Sequence, residues 1–164
     1  MVLNGLPPFY GSRALAAAVV GGCRAGRGDG CRTMGSGRPT PGVVGDTSGP
    51  TLGICAPNGA ENDCNITGFD CSGLTLYAWG LQCVSLPHYS VYQYTLIQQI
   101  ATSALLPGDL LFYATDTSNP STIHHMAMYA GNGQMVQAPY SGAFVEISPV
   151  DFGNGFIGAT RPGN

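Results

Sequence analysis

Lysine is absent from this 164-residue chain; all six of its cationic side chains are arginines. Without the commonest phosphate-neutralising residue, nucleic acid is not an expected partner. No apolar run approaches the roughly 20 residues that a membrane-spanning helix needs, so no transmembrane segment is expected. Cysteine is present six times, but no pair has C-x-x-C spacing. That leaves little basis for a zinc site, and neither a metal nor a cofactor is expected.

What is there describes a folded domain rich in turns. Hydrophobic residues make up 44% of the chain, with 25 Gly and 12 Pro. The length suits one domain with a real core. Charge is divided unevenly: residues 1–45 carry a net +4 and residues 46–164 a net −7. Such a split marks a tail or boundary. It suggests an atypical segment over 1–45 and a domain over 46–164. Cys55 and Cys64 bracket the polar loop APNGAEND. Their spacing suits a disulfide, which would imply an oxidising compartment; the other reading is two free thiols in a loop.

From residue 46 the periodicities become legible. Residues 46–69 read as loop. Residues 71–80 read as a helix, with Leu74, Tyr77 and Ala78 at i, i+3, i+4 spacing and Asp70 as N-cap. A second helix is expected from about 91 to 100, capped by Ser90. Pro107-Gly108 makes a turn, and strands follow at 110–115, 124–130, 134–138, 144–147 and 156–160. Asn132-Gly133 supplies a tight hairpin turn. Helices followed by a strand meander predict an α+β fold, with the helix that begins at Cys71 packed on an antiparallel sheet.

Cys71 stands where unpaired N–H groups and the positive dipole end of the helix meet, an environment expected to lower a thiol pKa. A thiolate nucleophile needs a base and an orienting group. Alternation in the 124–130 strand puts His125, Ala127 and Tyr129 on one face and His124 on the other. Gln137, on the partner strand, carries an oxygen that can accept from the imidazole. The plainer alternative is a structural cysteine and a half-buried histidine.

The segments FDCSGLTLYAW, LPHYSVYQY, LLPGDLLFY, HHMAMYAGNGQMVQAP and GAFVEI resemble, in order and spacing, the NlpC/P60 family of cell-wall peptidases. The resemblance runs from 46 to 160. It implies a papain-like domain that cleaves peptide stems of peptidoglycan, commonly between D-glutamate and a diamino acid, outside the cell or in the wall. It implies Cys71 as nucleophile, His125 as base and Gln137 as third polar residue. Asp70 and Ser72 match positions that help bind the free amine of a stem peptide, although Asp70 also reads as a simple cap. His88 falls at a usually basic position.

The chain departs from the family at its front. The Pro-Tyr-x-Trp-Gly-Gly segment expected before the cysteine is replaced by GRPTPGVVGDTSGP. Back-translated with free synonymous choice and read from the third codon base, residues 34–45 can encode GLGTPYSWGG. This suggests an out-of-frame reading before about residue 45. A rival reading takes ALAAAVVGGC as a lipoprotein signal with Cys23 lipidated. Three functions follow: an active thiol hydrolase, an inactive domain that only binds wall peptides, and a papain-like amidase or acyltransferase.

Overall fold

A computed structural model describes residues 51–53, 67–82 and 84–163. The 1–45 segment, Cys23 and the Cys55–Cys64 pairing lie outside the described residues.

Asp70 starts the first helix, α1 (Cys71–Gly80), from an extended backbone at φ −82° and ψ 174°. Its Oδ1 accepts from the Gly73 N–H at 2.7 Å, satisfying one of the open donors of the first turn. Leu74, Thr75, Tyr77, Ala78 and Trp79 are all buried, so α1 lies deep in the domain rather than along its surface. Trp79 bolts the far end, its Nε1–H donating to the Gly108 carbonyl at 3.0 Å.

One strand pair and one six-stranded sheet accompany the helices. The short β1 (Thr51–Leu52) and β2 (Thr67–Gly68) pair antiparallel, within a stretch expected to be loop. The main sheet has six strands in the order β3-β8-β4-β5-β6-β7. They are β3 (Gln99–Ile100), β4 (Leu110–Ala114), β5 (Ile123–Gly131), β6 (Gln134–Gln137), β7 (Glu146–Pro149) and β8 (Phe156–Thr160). All neighbours are antiparallel. The α+β architecture, with the cysteine helix on an antiparallel sheet, is as expected.

One core fills the space between α1 and the sheet, where Leu74, Ala78 and Trp79 meet Leu110, Phe112, Met126, Met128 and Val136. Leu111, Tyr113, Ala127, Met135 and Ala159 form a second cluster on the opposite face. Both faces of β4 are therefore covered, and all five of its residues are buried. Each such buried large side chain contributes about 1.5–3 kcal/mol.

Three expectations need correction. The second helix, α2 (Ser90–Thr95), stops five residues short of 100 and has Tyr89 rather than Ser90 at its N-cap. Gln99 and Ile100 instead pair with Thr160 and Ala159 of β8. Thr95 bonds back to the Val91 carbonyl at 2.8 Å, and Leu96 is 74% exposed. No apolar seam therefore carries the helix onward, and pairing on β8 satisfies the backbone instead. The strand expected at 144–147 begins at Glu146, leaving Phe144 71% exposed. The third correction concerns His124. Tyr113 pairs with His125 but Ala114 pairs with Ile123, so His124 is an extra residue bulged out of β5. A bulge breaks the two-residue alternation that would have sent His124 to the opposite face.

Asp109 anchors the turn before β4. It is 2% exposed and receives Arg161 through both oxygens, Nε to Oδ1 and Nη2 to Oδ2, each at 2.8 Å. It also accepts the Leu106 N–H at 2.6 Å. Arg161 donates further to the Ala104 carbonyl at 2.6 Å. This latch joins the end of β8 to the turn that holds Trp79.

Candidate active site

Cys71 is the first residue of α1 and partly buried. Its sulfur faces β5, where the backbone N–H of Met126 points at it together with those of Ser72 and Cys71 itself. Met126 directly follows His125, so the thiol of α1 meets β5 one residue along the backbone from the histidine. Gln137 faces His125 diagonally across the hairpin: His125 Nε2 and Gln137 Oε1 are 2.8 Å apart. The hairpin turn is as expected, with positive φ at Asn132 (54°) and Gly133 (70°).

The orientation of Gln137 has its own cause. Its Nε2 donates to Ser148 Oγ at 2.8 Å and to Glu146 Oε1 at 3.1 Å. With its amide nitrogen engaged by β7, its oxygen is turned to the imidazole. Gln137 then accepts the Nε2–H proton and leaves Nδ1 as the basic nitrogen. Glu146 and Ser148 were not singled out from sequence. The signal was period-two alternation across a β6–β7 pairing, obscured by the misplaced start of β7.

Asp70 and Ser72 lie against each other, Ser72 Oγ donating to Asp70 Oδ1 at 2.9 Å. Ser72 is buried, whereas the Asp70 side chain is 59% exposed. His88 Nε2 approaches Asp70 Oδ2 to 2.9 Å. The ring lies so close over the helix start that a Cβ on Gly73 would sit 3.0 Å from it. Gln93, fully buried, ties the same turn down: it donates to the carbonyls of Ser72 (3.1 Å) and Pro87 (2.7 Å) and accepts from Thr75 at 2.8 Å. Nothing in the sequence periodicity marked Gln93, a polar side chain inside the core.

The electrostatics differ from the sequence expectation. Burial pushes the Cys71 thiol above its ordinary value, and the Asp70 carboxylate adds to this. The backbone N–H groups of Met126, Ser72 and Cys71 oppose both but do not win. Burial pushes His125 down; the Gln137 bond resists this and His124 reinforces it. A thiol pushed up and an imidazole pushed down both work against a preformed thiolate–imidazolium pair. The two groups can still act if the imidazole takes the thiol proton as the sulfur attacks.

Asp70→Asn tests this balance, because asparagine still caps a helix. Removing the charge is expected to lower the Cys71 pKa and speed its alkylation by iodoacetamide at pH 8, followed by peptide mapping. An unchanged or slower rate contradicts the assigned cause.

Beside His125 opens a cleft of about 310 Å³, lined by Tyr113, His124, His125, Met135, Pro139, Asp151 and Asn154. The bulge brings both histidines into its wall. Among the described residues no group of three or more His, Cys, Asp or Glu is placed to hold a metal. No described helix is long and apolar enough to cross a membrane.

This arrangement can be set against known proteins. The family model described as NlpC/P60 matches residues 58–155, more than half of the chain. The chain belongs to the NlpC/P60 family. Peptidoglycan endopeptidase RipA of Mycolicibacterium smegmatis is 42% identical over 106 residues, covering 65% of this chain but only 19% of RipA. Among solved structures, Rv1477, a hypothetical invasion protein of Mycobacterium tuberculosis, aligns with a TM-score of 0.61 at 29% identity. That alignment covers 98% of this chain and 67% of the other. RipD of the same organism, described as a non-catalytic NlpC/P60 protein adapted to peptidoglycan binding, aligns with a TM-score of 0.57. It is 34% identical over 71% of this chain and 80% of its own. This NlpC/P60 chain therefore has both hydrolytic and purely binding relatives.

Proposed function

We propose that this NlpC/P60 domain is a cysteine endopeptidase that hydrolyses the peptide stems of peptidoglycan, at a bond of the D-glutamyl–diamino acid type. The observation that carries this reading is the His125–Gln137 bond at 2.8 Å, on the strand whose next residue points its N–H at the Cys71 sulfur. A purely structural cysteine needs no oriented imidazole beside it.

In this reading His125 takes the Cys71 proton as the sulfur attacks the glutamyl carbonyl. The oxyanion is met by backbone N–H groups at the start of α1. The C–N bond then breaks, and His125 gives its proton to the departing amine. Water, activated by the same imidazole, hydrolyses the thioester. Gln137 holds the ring and its tautomer. Asp70, held by Ser72 and His88 and exposed at the helix start, receives the free amine of the stem. The working domain starts near residue 46, and the site of action is the wall or outside of the cell.

The second reading is a binding-only domain. The RipD likeness and the replacement of the Pro-Tyr-x-Trp-Gly-Gly segment favour it. Mass analysis of purified muropeptides after incubation with the protein separates the readings. Two fragments split between glutamate and the diamino acid support hydrolysis, whereas intact peptide supports binding alone. Release or transfer of a different acyl group points to an amidase or acyltransferase.

Gln137→Ala is expected to lower kcat about 10- to 100-fold, the usual loss when a partner orienting a working imidazole is removed. The Gln137 bond supports the protonated ring, so its loss pushes the His125 pKa lower still. The acid limb of the rate profile should therefore move to lower pH. A limb that moves to higher pH contradicts the assignment.

A further inference from the structure

We propose that the cleft beside His125 receives the leaving half of the substrate, and that the Asp151 carboxylate in its wall binds the free side-chain ammonium of the diamino acid. This rests on the hydrolase reading above and adds the recognition element on the amine side of the scissile bond.

The geometry runs through Tyr113. Its ring stacks on His125, with centroids 5.9 Å apart and planes at 28°. Its phenol meets the backbone of Asp151 and donates to Met135 Sδ at 3.3 Å. One tyrosine therefore spans the distance from the imidazole to Asp151, and all three line the same cleft. The imidazole must hand its proton to the departing amine, so that nitrogen has to lie at the His125 end. A diamino acid carries its second amine several carbons away, which points it along the tyrosine toward Asp151.

Asp151 suits a cation. Its Oδ1 accepts from the Gly153 N–H at 2.7 Å and the Asn154 N–H at 3.3 Å, and its Oδ2 from Asn154 Nδ2 at 2.8 Å. These bonds hold its carboxyl below the usual carboxylate range, so it is ionised at neutral pH. Two carboxylate oxygens offer about four acceptor sites, leaving room for one more donor. With its amide nitrogen on Asp151, the Asn154 carbonyl oxygen adds an uncharged acceptor in the same wall. Among the described residues no cationic side chain is paired with Asp151; the ion pairs are His88–Asp70 and Arg161–Asp109. His124 and His125 are the titratable bases that share the wall.

The proposal predicts a preference for stems whose diamino acid keeps a free side-chain amine, over stems in which that amine is acylated by a cross-link. The test uses the full chain carrying Cys71→Ala, which cannot turn over. It is titrated calorimetrically with lysyl-D-alanine and with its Nε-acetyl form. The free-amine peptide is expected to bind about fivefold more tightly, the upper range for an exposed ion pair such as Asp151 can make. Adding Asp151→Asn keeps the turn, because the side-chain oxygen still accepts from Gly153. That substitution should remove the difference and leave the acetylated peptide's affinity unchanged. Equal affinity for both peptides, binding of neither, or an equal loss for both on Asp151→Asn overturns the proposal. The hydrolase reading is judged separately: a chain that binds with this preference but, with Cys71 intact, cleaves no muropeptide retains the subsite and loses the enzyme.

Discussion

Cys71→Ala is expected to reduce muropeptide hydrolysis by about 10⁴-fold or more, to background, since removing a nucleophile disables the whole catalytic unit. The effect should fall on kcat, with stem-peptide binding kept. The fold should survive, because alanine is the best helix former and Leu74, Ala78 and Trp79 still hold α1 against the sheet. Circular dichroism and the denaturation midpoint check this. A Cys71→Ala protein that still cleaves muropeptides at more than a few per cent of the original rate would remove Cys71 from the mechanism.

The second large effect is on stability. Among the described residues, Arg161→Ala leaves the buried Asp109 carboxylate with only the Leu106 N–H in place of a two-pronged partner. Stranding a buried charge in this way costs about 3–5 kcal/mol, a large part of the total stability of a domain this size. The same turn positions Gly108, the acceptor for Trp79 at the far end of α1. Urea denaturation should show a lower midpoint with little change in slope. A loss below about 1 kcal/mol, the range of an exposed surface pair, would mean that the pair is solvated and the latch does not hold the turn.

How much of this was legible in the sequence depended on whether the signal was local. The start of α1 was readable because its cause lies within four residues: the Asp70 carboxylate caps Gly73, and an apolar run follows. The hairpin was readable because Asn132-Gly133 can take positive φ. The end of α2 was not, because it is decided by β8, some sixty residues away, which captures Gln99 and Ile100. The bulge at His124 was hidden for a similar reason: alternation in β5 reads smoothly until β4 pairs with it. The thiol pKa was misjudged because the helix dipole is a local effect, whereas burial and the field of Asp70 depend on the folded site. Gln93 and the Asp109–Arg161 latch are buried polar pairs, whose partners no single stretch of sequence announces.

If Cys71 is the nucleophile, its modification and the loss of activity must run together. The most direct test alkylates the protein in stages with iodoacetamide, measures residual muropeptide hydrolysis at each stage, and maps the modified cysteines by peptide mass. The predicted result is activity that falls in direct proportion to the fraction of Cys71 modified, whatever happens at the other five cysteines. Activity that persists with Cys71 fully alkylated, or that tracks another cysteine, would contradict it.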